Sequence, residues 1–175
     1  LDVRKASQNV NFAARSGCMI GGNMCEWYGG MDSFLVSQEF GEKIYIPSMG
    51  RKVEDEENLE GLHHLPYMNW SQCIAELSKM KYAVHLMRTY AAGTFALNAA
   101  YLSIPCIGWN SLDTQAICHP NLSFDEGDMV SARKAAKELK NNQQFYEHCA
   151  ATAYKNYQDN FTEKIFLERF FDNIK

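Results

Sequence analysis

The chain has 175 residues, 46% of them hydrophobic and 22% charged, which fits one globular domain of ordinary size. Its formal net charge of −4 argues against a broad surface for nucleic acid or anionic membrane, so we expect no nucleic-acid partner. No apolar run approaches the roughly 18 residues that a transmembrane segment needs, and no signal peptide is visible. The polar start without a methionine is typical of a fragment.

The six cysteines form no CxxC pair and lie mostly within apolar runs. This pattern predicts reduced, mostly buried thiols in a cytoplasmic protein. Neither the cysteines nor the scattered histidines have the spacing of a metal site, and no motif indicates a cofactor. We therefore expect neither a metal nor a cofactor.

Apolar patterns predict strands and helices in alternation from residue 17 to residue 126. The predicted strands are 17–22, 43–50, 62–69, 81–87, 104–109 and 121–126. The predicted helices between them are 30–40, 70–80, 93–103 and 111–119. Ser71 is the predicted N-cap of the second helix. Residues 51–61 are predicted to form a charged, solvated connector. Two or three further helices follow from residue 129, the first capped by Asp128 and with a break near Asn141–Asn142.

This alternation predicts an α/β fold: a Rossmann-like parallel sheet of about six strands with helices on both faces. We expect residues 1–16 to be a linker or crossover helix and residues 17–128 to form the core. Residues 129–175 are expected to be helices that pack on the same domain. Ligands of such sheets bind beyond the carboxyl ends of the strands, so the loops that follow strands are the candidate sites.

Loop 88–94 is the strongest candidate, because it joins the end of a strand to the start of a helix. Backbone N–H groups at a helix N-terminus and the helix dipole favour an anion such as phosphate. Gly93 would let a phosphate approach the backbone, Thr94 and Thr89 offer hydroxyls, and Arg88 could add positive charge. The alternative is an ordinary turn with a glycine and a capping threonine.

Three other loops offer weaker candidates. Arg51 and Lys52 follow the second strand and could face a diphosphate, or could instead balance the acidic connector. Asp113 and Gln115 follow the fifth strand and suit vicinal sugar hydroxyls, although an acid in the first turn of a helix is favourable without any ligand. The glycine-rich loop 21–30, which includes Gly22, lacks a dinucleotide fingerprint.

Two aromatic residues follow the third strand. Tyr67 and Trp70 could stack on a base, but a place in the aromatic core is the favoured interpretation. No nucleophile elbow, phosphate-binding P-loop or catalytic dyad is present, so no catalytic residue is assigned.

The run "YMNWSQCIAELSKMKYAVHLMRTYAAGTFALNAAYLSIPCIGWNSLD" resembles the carboxy-terminal, nucleotide-sugar-binding domain of GT-B glycosyltransferases of the retaining group 1 type. Gly93 falls on the second glycine of that family's Glu-Gly-Phe-Gly turn, and Pro105 falls on its Gly-x-Pro-Val proline. The two glutamates of the family pattern fall at Tyr90 and Asn98. The family uses the first for the sugar and the second for the ribose, and an Asn98 amide could still bind ribose hydroxyls.

The resemblance implies a GT-B carboxy-terminal half that binds a nucleoside-diphosphate sugar and needs no metal. The family's phosphate-binding cations have only a positional counterpart, in Arg51 and Lys52. An acceptor-binding domain or partner chain would complete a glycosyltransferase. Two alternatives stay open, namely a non-catalytic nucleotide-binding or interaction module on the same fold and a nucleotide-sugar epimerase-like enzyme.

Overall fold

The computed structural model describes residues 14–48, 50, 53–90 and 93–172 of the chain. The predicted linker or crossover helix at residues 1–16 falls almost entirely outside these ranges. The predicted phosphate contacts Arg51 and Lys52 also lie outside the described residues.

The strands form one parallel sheet of six strands in the order β3-β2-β1-β4-β5-β6. The strands are β1 Cys18–Ile20, β2 Ile44–Ser48, β3 Leu62–Tyr67, β4 Tyr82–His85, β5 Cys106–Trp109 and β6 Ser123–Phe124. The predicted Rossmann-like sheet is confirmed. All six strands lie within the stretches that the alternation of apolar runs predicted.

Seven α-helices accompany the sheet in the described residues. They are α1 Gly30–Ser37, α2 Trp70–Leu77, α3 Thr94–Tyr101, α4 Asp113–Cys118, α5 Met129–Asn141, α6 Gln143–Asn160 and α7 Glu163–Asp172. The break predicted near Asn141–Asn142 is confirmed, because Asn142 ends α5 and its side chain accepts a hydrogen bond from Phe145 N in α6.

The N-caps of two helices, α5 and α2, can be compared directly with the caps predicted from the sequence. Asp128 caps α5 as predicted, since its carboxylate accepts a 3.0 Å hydrogen bond from Ser131 N. Ser71 is not the cap of α2. Asn69 takes that position and forms a reciprocal capping box with Gln72, at 3.0 Å in both directions.

The two faces of the sheet pack against different helices. Ile20, Val84 and Ile107 belong to a core with side chains of α1 and α5. Met19, Ala83 and Cys106 point to the opposite face, where side chains of α2 and α3 cover them. Successive strand residues alternate between faces, so the central strands are buried on both sides and read as continuous apolar runs.

Helix α6 extends the structure beyond the sheet. Its Ala153 is fully buried against Ala100 of α3 and Cys118 of α4. Near the start of the same helix, the Tyr146 hydroxyl donates a 3.0 Å hydrogen bond to Lys81 O.

The division of the chain into residues 1–16, 17–128 and 129–175 stays a prediction.

The charged connector is less solvated than its sequence predicts. Glu56 is only 4% exposed, and its Oε2 accepts a 2.7 Å hydrogen bond from Val53 N. Its Oε1 lies 2.9 Å from His64 Nε2 on β3. The Glu56 carboxylate is therefore buried and stabilises the turn that leads into β3. A run of acidic residues in the sequence does not reveal this role.

All six cysteines are free thiols, and four of them are buried. Among residues 14–172 as described, no helix combines the length and the apolar character required to cross a membrane.

Candidate functional site

The order of the strands reverses between β1 and β4, and this fixes where a ligand can enter. Connections from these two strands leave the sheet in opposite directions, so a crevice opens beyond their carboxyl ends. The loops that follow them meet there. Arg88 N and the Thr89 hydroxyl both donate to Trp27 O, at 3.2 and 3.0 Å. A Cβ on Gly29 would lie 1.8 Å from Leu86 O, so this close approach requires glycine.

A cleft of about 570 Å³ occupies this position. Its walls come from the loop after β1, the carboxyl ends of β2, β3 and β4, and the sides of α2 and α3 that face them. Three of the predicted site residues line it, namely Gly22, Thr94 and Asn98. Gly22 has a φ of +97°, a backbone conformation that favours glycine.

The aromatic residues after β3 form one wall of the cleft. Tyr67 is 81% exposed, and Trp70 is half-buried at the first position of α2. The interpretation of both residues as aromatic core is therefore wrong for Tyr67 and incomplete for Trp70. Trp70 packs against the core under α2 while it also faces the cleft. The two rings provide flat surfaces on which a planar group can stack.

The N-terminus of α3 forms the opposite wall. Gly93 occupies the N-cap position and supplies no side-chain hydrogen bond to the first turn. Thr94 is exposed at the first position, and Asn98 lies one turn further along the same side of the cleft. The first N–H groups of a helix have no intrahelical partners, and the helix dipole adds a partial positive charge there. This wall suits an anion.

The glycine at position 93 has a reason that the sequence does not show. A Cβ there would lie 2.1 Å from Thr114 Oγ1, a distance that atoms do not tolerate. The same Thr114 hydroxyl donates a 3.0 Å hydrogen bond to Gly93 O. Packing between α3 and α4 therefore requires glycine whether or not a ligand binds.

A residue that the sequence analysis did not assign to the site lies at the floor of the cleft. His85 is the last residue of β4, is 7% exposed and lines the cleft. Neither of its ring nitrogens has a hydrogen-bond partner in the described structure. Burial lowers the pKa of His85 to about 4, so the ring is neutral at pH 7. The feature of the sequence that could have identified this residue is a histidine at the carboxyl end of an otherwise apolar strand.

Three of the predicted contacts on loop 88–94 point elsewhere. Arg88 forms an ion pair with Asp32 on α1, with Nη2 to Oδ2 at 2.6 Å, and this hydrogen bond raises the pKa of the guanidinium. The Thr89 hydroxyl is already used by Trp27 O. Tyr90 is 83% exposed and does not line the cleft.

The predicted contacts after β5 are also not in the cleft. Gln115 is 1% exposed, and its Nε2 donates hydrogen bonds to Cys106 O at 2.8 Å and Leu122 O at 3.4 Å. The sugar contact predicted for Gln115 is therefore replaced by a structural role. Asp113 is exposed in the first turn of α4, where the helix dipole favours a carboxylate without any ligand.

The described lining of the cleft carries no charged side chain. An anion bound there would depend on the N-terminus of α3, on backbone N–H groups and on neutral donors. Arg51 and Lys52 remain predicted contributors, because their positions fall in the part of the chain that the structure does not describe.

No protein-family model and no curated protein matches the sequence. Solved structures do match. Sucrose-phosphate synthase from Thermosynechococcus elongatus gives a TM-score of 0.71 at 15% identity, over 99% of this chain and 48% of that one. The C-terminal domain of a group 1 glycosyl transferase from Francisella tularensis gives 0.68 at 10% identity, over 93% of this chain and 94% of that one. This chain has the fold of the carboxy-terminal domain of GT-B glycosyltransferases.

An α-glucosyltransferase in complex with UDP and a 13-mer DNA gives a TM-score of 0.71 at 16% identity, over 100% of this chain and 57% of that one. The chain thus spans about half the length of this glucosyltransferase and of the sucrose-phosphate synthase. The GT-B carboxy-terminal fold that the sequence resemblance predicted is confirmed.

Proposed function

We propose that this chain is the donor-binding domain of a glycosyltransferase, which holds a nucleoside-diphosphate sugar while the sugar passes to an acceptor. One observation carries the proposal. The cleft at the switch point of a GT-B-type sheet combines exposed aromatic surfaces with a helix N-terminus that no side chain caps. An acceptor-binding domain or partner chain would supply the other side of the active site.

In this proposal the base of the nucleotide lies against the aromatic wall. Tyr67 and Trp70 offer π faces on which any base can stack, and such contacts are worth about 1–3 kcal/mol per base in other nucleotide-binding proteins. The Asn98 amide both donates and accepts hydrogen bonds, so it suits ribose hydroxyls that do the same.

The diphosphate lies at the N-terminus of α3 in the proposal. Backbone N–H groups of residues 93–95 and the helix dipole stabilise the negative charge that develops on the leaving group. Gly22 lets the loop after β1 approach the same region, and Thr94 offers a hydroxyl. Arg51 and Lys52 are proposed to supply positive charge, whereas Arg88 would first have to leave Asp32.

The ligands in the complexes of the structural neighbours suggest the first probe. UDP is present in the α-glucosyltransferase complexes, and UDP-glucose in one of them.

We propose a cytoplasmic location for this chain, which six unpaired cysteines support because an oxidising compartment favours disulfides.

Calorimetric titration of the 175-residue chain with UDP, GDP and ADP tests the proposal. One of these nucleotides is expected to bind and to raise the melting temperature, since a ligand that binds only the folded state stabilises it. Tyr67→Ala should weaken the binding, and Tyr154→Ala, which also removes a partly exposed tyrosine but one outside the cleft lining, should not. Failure of all three nucleotides to bind would contradict the proposal.

A non-catalytic nucleotide-binding module is the second candidate. The observations that favour it are Tyr90 and Asn98 at the two positions where the resemblance expects glutamates, and the lack of a charged side chain in the described lining. Saturation-transfer NMR with UDP-glucose separates the two. Saturation of the glucose protons supports a donor-binding domain, whereas saturation confined to the uridine protons supports the module.

A further inference from the structure

His85 presents a buried polar group without a partner at the site of ligand entry. It is 7% exposed, and neither Nδ1 nor Nε2 has a hydrogen-bond partner among the described residues. Leaving a buried donor or acceptor unsatisfied costs about 1–3 kcal/mol. The unsatisfied ring at the floor of the cleft is explained if a bound ligand supplies the missing hydrogen-bond partner.

The other deeply buried histidine shows that this fold can satisfy such a ring. His119 is 2% exposed, its Nε2 lies 3.1 Å from Ala96 O, and its Nδ1 accepts a 3.4 Å hydrogen bond from Cys106 N. Both nitrogens of His119 are partnered by backbone groups of neighbouring elements. Trp109 Nε1 and Gln115 Oε1 are also buried without a partner in the described part of the chain, but of these three residues only His85 lines the cleft, where a ligand can reach it.

The neighbours of His85 define which part of a ligand it can meet. A Cβ on Gly21 would lie 2.7 Å from the His85 ring, so the ring presses against the turn that follows β1. The ring also lies edge-on to Phe95, the second residue of α3, at 5.3 Å between centroids. His85 thus sits between the glycine turn and the first turn of α3, where the first backbone N–H groups of the helix have no intrahelical partners.

The chemistry of a neutral imidazole fits a phosphate oxygen. A neutral ring carries one N–H donor, and a phosphate oxygen only accepts. No charged side chain lines the described part of the cleft, so neutral donors matter more to an anion there.

We propose that His85 binds the nucleotide directly, by donating a ring N–H to a diphosphate oxygen. The inference rests on the proposed function of the cleft. Both ring nitrogens are shielded from water, so the contact includes a small rotation of the imidazole toward the cleft as the ligand enters.

Two substitutions of His85 separate hydrogen bonding from shape. His85→Gln keeps a side-chain N–H donor, while His85→Phe keeps a ring of similar size without polar atoms. We expect His85→Phe to weaken UDP binding at least tenfold and His85→Gln to weaken it no more than about threefold. Uridine lacks the diphosphate, so its weaker binding should be the same in all three proteins. UDP binding by His85→Phe at the affinity of the unsubstituted chain would overturn the inference.

NMR of the histidine rings tests the same contact without any substitution. Saturating UDP should shift the ring signals of His85 and raise its pKa above the value of about 4 in the free protein, because a nearby diphosphate favours the imidazolium. The other titratable side chains of the described lining are Tyr28, Tyr67 and Cys73. His119, behind α3, is the internal control and should not respond.

The outcomes distinguish the two proposals. If the unsubstituted chain binds none of UDP, GDP and ADP, the proposed function and this inference both fail. If UDP binds but the His85 signals and pKa do not change, the inference alone fails and the donor-binding function stands. A shift at His85 together with the loss of affinity in His85→Phe supports both.

Discussion

The β4–α3 and β5–α4 connections look alike in sequence and do different things. Each follows a buried strand with a polar stretch that starts a helix. A buried histidine lies near each, His85 at the end of β4 and His119 just after α4. After β5, Thr114 Oγ1 and Gln115 Nε2 donate hydrogen bonds to backbone carbonyls of neighbouring elements, and His119 has partners on both nitrogens. After β4, Thr94 and Asn98 face the cleft.

The difference teaches that the residue types at a strand end do not identify a ligand site by themselves. A polar group whose partner is already in the protein holds the fold together. A buried polar group that has no partner and also lines a cleft, as His85 does, is available to a ligand and costs stability until the ligand binds. Five experiments test this contrast, in order of decreasing expected effect.

Acid should destabilise the protein through both histidines. Burial lowers the folded-state pKa of His85 and of His119 to about 4, against about 6.5 when unfolded. The unfolded state therefore binds more protons as the pH falls below 6.5, and stability is lost until about pH 4. Each ring should cost about 2 kcal/mol between pH 7 and pH 5. Urea unfolding at these pH values measures the loss, which His85→Phe should roughly halve.

Gln115→Leu should lower the free energy of unfolding by about 1–3 kcal/mol, because Cys106 O and Leu122 O lose their side-chain donor. The affinity for UDP should not change, since Gln115 does not line the cleft. Urea unfolding and calorimetry give the two numbers. A variant of full stability with weakened UDP binding would reverse the roles assigned to the two connections.

Gly93→Ala should cost about 1–2 kcal/mol of stability, because its methyl group would collide with Thr114 Oγ1. The same change made in a Thr114→Ala background should cost much less, since the colliding oxygen is gone. A double-mutant cycle by urea unfolding measures this coupling. Equal costs in both backgrounds would show that Thr114 is not the reason for the glycine.

Asn98→Leu should weaken UDP binding about tenfold, which is about 1.4 kcal/mol, with little change in stability. The side chain is half-buried and lines the cleft. Asn121→Leu is the matched control, because Asn121 is exposed and outside the cleft lining. Calorimetric affinities that fall equally in both variants would remove Asn98 from the site.

Arg88→Ala should have the smallest effect, at about 0–1 kcal/mol of stability, because its ion pair with Asp32 is partly exposed and screened by water. UDP affinity should be unchanged if Arg88 stays with Asp32. If calorimetry shows a clear loss of UDP affinity in Arg88→Ala and no such loss in Asp32→Ala, Arg88 contacts the ligand.

Much of the architecture could be read from the sequence. Apolar runs alternating with helical patterns predicted the six parallel strands, and the strand-end rule selected Gly22 and Thr94, which line the cleft. That rule could not rank residues within a loop. Arg88 and Thr89 were plausible ligand contacts by type, but in the fold they bond to Asp32 and Trp27, 56 and 62 residues away in the sequence. Gln115 bonds to Cys106 O on the preceding strand, only 9 residues away, and the residue types alone did not show this either.

The sequence by itself determined the layered α/β fold, because hydrophobic periodicity and strand–helix alternation are local and repeat along the chain. It also determined that the turn near Gly93 would start a helix at the ligand-binding edge. Only the tertiary structure decided which polar groups there remain available. Burial and hydrogen-bond partners depend on how separate elements pack, and this packing left His85 without a partner while backbone carbonyls of other elements satisfy His119 Nε2 and Gln115 Nε2.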